Sequence, residues 1–459
     1  MVKSHLFLLV IFLLTACQPT PISHTATPLP ATVTKSPPTA TPIPLSTLDV
    51  DETDLKGIEI EVWHAWYGAT ASLFDSQVAE FNKENPWGIK VSATSQGNYN
   101  LLFNAVSDSL ESGERPQIVV ALVDQISLWN ELGSVKSLSP YIVDPIWGFT
   151  TAEATDFPEI FLEQDQRDEN QIALPAQRTA RFLLYNQTWG KELGFTTPPR
   201  TFEEFKEQSC AANQAKRADE DLQNDGKGGW IIDDDPNTVL AWMRGFDGSP
   251  LDKNGDYQFI SNQNIDALKN LKKLYDQSCI WLSTADTPYE QFANRSALFI
   301  SANMEEFSDI SRRFASAKNR DEWTILPYPG TMQNSVFAYG TSYAILEEND
   351  EAEILASWLF IKWMLTPENQ AEFTKSTALF PIRISSLDEL SAYEKDNPHW
   401  SEAVDLIPRV EIQPKITSWH QVRYVLGDGF EYLFRFDVQA GSVAAILAQM
   451  NTTAQALNE

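Results

Sequence analysis

The chain has 459 residues, with 63 acidic against 34 basic side chains and a formal net charge of −29. That excess excludes a nucleic-acid partner, which needs a basic stripe, and disfavours a polyanionic ligand. About 400 residues lie beyond the N-terminal segments, enough for two ordinary domains and too many for one small core.

The chain opens with Lys3, an apolar run from Leu6 to Leu14 and the tetrad Leu14-Thr15-Ala16-Cys17. These are the charged, apolar and cleavage regions of a secretory signal, too short to serve as a stable membrane span. A cysteine closing such a tetrad resembles the lipobox of bacterial lipoproteins, which implies a diacylglycerol on the Cys17 thiol. The alternative is an ordinary signal peptide with an incidental cysteine. Residues 1–17 are thus expected to be the lipoprotein signal. Residues 18–54 are rich in Pro, Thr, Ser and Ala with few large apolar side chains. Such a stretch buries too little surface to offset its ordering entropy, so a disordered tether is expected.

Gly57 to Trp63 alternates apolar and polar residues and predicts a first strand. A helix over Thr70 to Asn82, a strand at Ile89 to Val91, a helix over Asn98 to Glu111, the apolar run Ile118 to Val123 and a helix over Gln125 to Leu132 continue the alternation. That order argues for a parallel sheet with crossover helices. Ile172 to Pro175 and Phe182 to Asn186 read as short extended pieces near a first crossing into a second unit. Thr201 with Glu204 three residues on is a helix start. Trp230 to Ile232, a helix over Asn237 to Arg244, the turn Asp252 to Asp256 and a helix over Ser261 to Gln277 follow. Trp323 to Pro329 and Val336 to Gly340 read as a return crossing. Helices are expected over Ala352 to Leu365 and Pro367 to Ser376, then a third crossing near Phe380-Pro381 and further helices after Trp419. Cys210 and Cys279, in a compartment that permits disulfides, are expected to be bridged; two buried thiols are the alternative.

Several segments carry a family resemblance: Val62-Trp63-His64, Phe81 to Pro86, Gly97-Asn98-Tyr99, Leu174-Pro175, Leu184-Tyr185-Asn186, Thr366 to Gln370 and the helix opened by Trp419. Each is a weak signal, but their order spans nearly the whole folded region. The chain resembles the extracellular solute-binding proteins of carbohydrate ABC importers, the group that includes maltose-binding protein. The resemblance implies an α/β fold of two Rossmann-like lobes joined by a multi-segment hinge, the type II periplasmic-binding-protein architecture. The expected lobes are 55–181 with 337–381, and 182–336 with 382–459. It further implies a monomer that captures a sugar or oligosaccharide between the lobes and delivers it to the importer's permease, without catalysis or a cofactor.

A sugar offers hydroxyls that need paired donors and acceptors and an apolar face that packs on an aromatic ring, so its site needs polar side chains around an aromatic platform. Trp63, His64, Trp66 and Tyr67 follow the first strand, Gln96, Asn98 and Tyr99 the second, and Asp124 the third. Trp63 is a ligand contact or the core residue ending its strand; Trp66 and Tyr67, in a loop, are expected to face the cleft. Tyr99 contacts ligand or staples its helix, and Asp124 takes a sugar hydroxyl or caps its helix. Trp242 lies in a segment resembling the family's aromatic platform and Trp419 in a similar place near the C-terminus, which implies cleft exposure for both. Arg178 and Arg181, beside the first crossing, are equally suited to holding a ligand and to a structural ion pair. Tyr339, after the second crossing, is a further candidate.

Asp221 to Gly226 looks like part of a calcium loop, but Gln223 is a poor ligand there and Ile232 stands where a bidentate Glu should be, so a solvated turn is expected. Three histidines beyond the tether, His64, His399 and His420, do not make a metal site. Neither a G-x-S-x-G elbow nor a P-loop nor a G-x-G-x-x-G fingerprint is present. A polyamine, peptide or other small solute is the alternative ligand, and would want carboxylates in the cleft. A secreted carbohydrate-active enzyme, needing two carboxylates across a scissile bond, is the alternative of another class.

Overall fold

The alternating strands and helices assemble into two principal sheets in the computed structural model, which describes residues 45–459 apart from Asp286, Glu348 and Asn349. The lipobox with Cys17 and most of the expected tether lie outside the described residues. The strands are β1 (Glu59–His64), β2 (Lys90–Ser95), β3 (Ile118–Leu122), a small hairpin of β4 (Gln166–Arg167) and β5 (Asn170–Gln171), β6 (Leu174–Pro175), β7 (Thr179–Asn186) and β8 (Gly228–Ile231). They continue as β9 (Ile280–Trp281), β10 (Ala297–Asn303), β11 (Trp323–Leu326), β12 (Val336–Tyr339), β13 (Thr341–Ile345) and β14 (Val410–Ile412).

The first sheet has the order β2-β1-β3-β13-β6 and the second β14-β12-β7-β10-β8-β9, with β11 also paired to β7. β1 is parallel to β2 and β3, whereas β13 runs antiparallel to both β3 and β6. The expected parallel pairing holds for β1, β2 and β3, and the crossing segments add two strands through antiparallel pairing, β13 inside the sheet and β6 at its edge. β8 is parallel to β9 and β10, and β7 is antiparallel to β10. Both sheets are covered by helices, so central strands such as β3 and β10 are buried on both faces, whereas β1 and β2 alternate.

Local sequence sets the helix ends. Asn98 accepts hydrogen bonds from the backbone N–H groups of Asn100 and Leu101 to start Tyr99–Ser112, and Gly113 closes that helix at a φ of 84°. Thr201 and Glu204 form the expected reciprocal cap of Phe202–Arg217. Asp235 caps Pro236–Gly245, where proline occupies the first turn. Cys210 and Cys279 form a disulfide that closes a separation of 69 residues, worth about 4 kcal/mol on the chain-entropy account.

The chain passes from the first sheet to the second between β6 and β7 and returns between β12 and β13, at Gly340. The two passages run so close that a Cβ on Gly340 would stand 2.1 Å from the Gln177 carbonyl oxygen. Trp323–Leu326 and Val336–Tyr339 belong to the second sheet, so the return crossing comes after them. The third passage also comes later than Phe380: Arg383 and Ser385 both bind Asp156 beside the first sheet's helices. Only from helix Pro398–Val404, where Glu402 accepts from Thr324 of β11, does the chain join the second lobe.

The tether ends sooner than composition suggests. Asp144 accepts hydrogen bonds from Thr47 N at 2.7 Å and from Ser46 Oγ at 3.0 Å, and Leu48 and Val50 pack on the first lobe's core. Two side-chain anchors and a buried Leu55 outweigh the low hydrophobicity of this stretch. Burial pushes the Asp144 carboxyl up, but the N–H groups of Trp147, Thr47 and Ile146 outweigh it and bring it from 3.8 down to about 2. This tie is therefore complete above the ordinary carboxylate range and is lost as pH falls through about 2. Asp144→Ala is expected to cost about 1.5–3 kcal/mol at neutral pH and to speed hydrogen exchange over residues 46–55. Unchanged exchange there would refute the docking.

Candidate functional site between the lobes

Ligands of open α/β sheets sit beyond the carboxyl ends of the strands. In the first lobe β1, β2 and β3 end at His64, Ser95 and Leu122, which delivers Tyr67, Gln96, Tyr99 and Asp124 to one edge. In the second lobe β8 leads into Asp233, Asp234 and Asp235, and β10 into Glu305 and Glu306. Electrostatics place these edges opposite each other. Burial and then the charge of Glu305 push the Tyr99 phenol up to about 12, and burial, Glu305 and Asp235 push Tyr339 well up. One carboxylate of the second lobe thus influences tyrosines on both sides of the gap.

A cavity of about 380 Å³ opens here between the start of helix Pro236–Gly245 and helix Trp419–Leu433, bounded by Asp235, Asn237, Tyr339, Gln413, Arg423 and Tyr424. Its size falls in the range of small-molecule sites. Asn237 and Gln413 hydrogen-bond to each other at 2.6 Å and present paired amides. A polar cavity of about 360 Å³ lies on the other side of the Asp233-Asp234 segment, with Arg181, Ser301, Tyr289 and Glu306 in its wall. A larger groove of about 690 Å³ runs between helix Trp419–Leu433 and helix Val443–Leu457. It is away from the strand ends and is not the site the fold defines.

The lobes touch at one rim of the gap. Asp124 and Arg423 form an ion pair at 3.0 Å with both side chains largely buried, Thr417 hydrogen-bonds to Glu131, and Phe103 meets His420 with ring centroids 6.1 Å apart. Hinge closure is a two-state equilibrium biased by whatever contacts exist only in the closed form. Asp124→Asn is expected to remove about 1.5–3 kcal/mol of closing bias, seen as a larger solute-free radius of gyration in small-angle scattering. An unchanged radius would deny the pair that role.

The structure distributes the remaining sequence candidates unevenly. Tyr67 is 81% exposed, whereas Trp66 is buried, its ring against Phe74, Phe373 and Tyr343 and its Nε1 donating to Gln177 Oε1 at 2.8 Å. Trp66 is thus a core and hinge residue, because the loop after β1 folds inward. Trp63 is half-buried against the cluster around Trp129. Trp242 and Trp419 are fully buried in the second lobe's core, which corrects their expected cleft exposure: helix positions facing the sheet take the largest apolar side chains. Arg178 is buried in a two-oxygen pair with Asp165 and has no face toward the gap, so its structural alternative holds. Arg181 binds Asp233 through two hydrogen bonds of 2.6 and 2.7 Å. From sequence the Asp233-Asp234-Asp235 run reads as a surface cap or loop, and Asp235 is indeed a helix cap; Asn237, Glu305, Gln413 and Arg423 are not among the sequence candidates, and the rule that strand ends face the gap points to Glu305 once β10 is recognised. Among the described residues no group of three or more His, Cys, Asp or Glu is placed to hold a metal, and no helix is long and apolar enough to cross a membrane.

Two mixed α/β lobes, three crossings and a polar gap at facing strand ends define a solute-binding protein of the type II periplasmic architecture. The chain belongs to the bacterial extracellular solute-binding protein family, whose sequence profile matches residues 76–402. That membership makes it an extracytoplasmic binding protein and not an enzyme. The sn-glycerol-3-phosphate-binding periplasmic protein UgpB of Escherichia coli K12 is 24% identical over 363 residues, covering 73% of this chain and 78% of that one. The cyclic alpha-maltosyl-1,6-maltose binding protein of Arthrobacter globiformis shares the fold with a TM-score of 0.71 at 19% identity, covering 87% of this chain and 99% of that one. UgpB of Mycobacterium tuberculosis, solved with glycerophosphocholine, gives a TM-score of 0.70 at 18% identity over 87% and 98% of the two chains.

Proposed function

We propose that this chain captures a carbohydrate in the interlobe gap and delivers it to the permease of an ABC importer, as a monomer held at the membrane by a lipid on Cys17. The observation that carries the reading is the cavity of about 380 Å³ at the second lobe's strand ends, where the Asn237–Gln413 amide pair lies with Tyr339 and Tyr424 in the wall. Amides satisfy hydroxyls and tyrosine rings pack against the apolar face of a sugar. Relatives that bind a maltosyl saccharide or a glycerol phosphate support a polyhydroxylated ligand. The two lobes are read as residues 45–175 with 341–390, and 179–339 with 398–459.

A thermal-shift screen of mono- and oligosaccharides, glycerol 3-phosphate, polyamines and amino acids tests the proposal. A ligand at a hundred times its dissociation constant adds about 2.7 kcal/mol to folding, and a saccharide is expected to give the largest shift. A shift confined to polyamines or amino acids would reject it.

A further inference from the structure

The second lobe carries a further cavity at its strand ends, and the sheet topology accounts for its place. β8 and β10 are adjacent and parallel. The helix after β8, Pro236–Gly245, sets Trp242 against Trp230, on the face where Trp230 Nε1 donates to Ser301 Oγ at 3.2 Å. The helix after β10, Phe307–Ser316, sets Phe307 against Phe182, which pairs with Ala302 on the opposite face. Neighbouring parallel strands whose onward chains leave on opposite faces open a crevice beyond their carboxyl ends, where α/β sheets take ligands. The cavity of about 360 Å³ lies in that crevice, between Asp233 and Asp234 after β8 and Ser301 and Glu306 at the end of β10, with Tyr289 in its wall.

Two observations say what it would hold. Arg181, the one cation lining it among the described residues, donates to both Asp233 oxygens and lies 3.9 Å from Glu306. Fixed groups of this kind offer donor and acceptor edges to hydroxyls, and no cation is left over for an anionic ligand. Asp234, moreover, lines both this cavity and the cavity of Asn237 and Gln413. The two adjoin across one exposed side chain, where the turn packs so closely on helix Trp419–Leu433 that a Cβ on Gly427 would stand 3.0 Å from the Asp234 carbonyl oxygen. We propose that the crevice between β8 and β10 is a second saccharide subsite, and that the chain takes a linear oligosaccharide running past Asp234 from one cavity into the other. This rests on the carbohydrate reading above and adds the length of the sugar. At about 380 and 360 Å³ each cavity alone is at the small end of ligand sites, roughly 300–1,000 Å³, and the pair lies well inside that range. A monosaccharide fills one and leaves the other to water, whereas a longer chain gains polar and ring contacts in both.

Titration calorimetry of the purified chain would compare glucose with the α-1,4 and β-1,4 glucose trisaccharides and with glycerol 3-phosphate. One trisaccharide is expected to bind at least about tenfold more tightly than glucose. Glu431, exposed on helix Trp419–Leu433, lines the crevice but not the first cavity. Glu431→Trp, which fills the mouth, should bring the ratio to near unity with glucose affinity and melting temperature unchanged, whereas Glu431→Gln, of the original size, should keep it. A trisaccharide that binds no better than glucose overturns the second subsite and leaves the carbohydrate reading standing. So does a ratio that Glu431→Trp does not change, or one that Glu431→Gln abolishes equally. Binding of glycerol 3-phosphate alone overturns both readings, and absence of binding by all four overturns the second subsite.

Discussion

Replacing Asp165 by alanine is expected to destabilise the protein by about 3–5 kcal/mol, because it leaves a fully buried guanidinium without its counter-charge. Arg178 sits on the first crossing between the lobes. Its Nη2 donates to both Asp165 oxygens at 2.8 Å, and Nη1 donates to the Thr341 carbonyl at 2.8 Å and to Ser342 Oγ at 3.1 Å. Ser342 Oγ in turn donates to Asp165, and the backbone N–H of Phe380 donates to the Arg178 carbonyl. One ion pair therefore joins the outgoing crossing, the return at Gly340–Thr341 and the approach to the third. Burial pushes the Asp165 carboxyl up and the Arg178 guanidinium down, and their contact opposes both shifts. Removing the carboxylate alone leaves the full desolvation cost of the arginine. Urea unfolding should show the loss. The double variant Asp165→Ala, Arg178→Met should recover most of it, since an apolar pair of suitable volume replaces a buried ion pair at little net cost. A loss below about 1 kcal/mol in the single variant would mean that water or backbone groups satisfy the arginine unaided.

The alternating pattern made the first lobe legible from Gly57 to Leu132, because strand and helix periods differ and each cap residue stands where the helix begins. The second lobe was harder. Ala297 to Ile300 is a short apolar run without alternation in a strand buried on both faces, and such a run does not distinguish itself from a buried helix. Glu305 stands at a strand end only by virtue of β10, so its position is not legible without that strand. Arg423 and Gln413 reach the gap only through the late return of the chain, which no local pattern encodes. The tryptophans misled for a different reason: a ring suited to packing against a sugar is equally suited to packing against Phe205, and composition cannot say which surface it meets.

Trp242→Ala is accordingly expected to cost about 3–5 kcal/mol of folding free energy and to leave the affinity of the folded protein unchanged within about twofold. The ring is fully buried, with Phe205 at 4.9 Å, Tyr328 at 5.2 Å, Trp230 at 5.4 Å and Phe202 at 5.9 Å between centroids. Truncation to a methyl group leaves a cavity inside this aromatic cluster, and such rings are too stiff to collapse into it. The indole N–H has no hydrogen-bond partner, so Trp242→Phe loses volume without losing a bond and should cost less than half as much. The helix that carries Trp242 also carries Asn237 at its first turn, with Asp235 as its cap, so an indirect effect on the gap would appear as a shifted affinity in both variants together. Denaturant unfolding gives the stability of each protein, and calorimetry with the ligand found in the screen gives its affinity. A stable Trp242→Ala protein that binds thirtyfold more weakly would put this ring in the gap and contradict the burial described above.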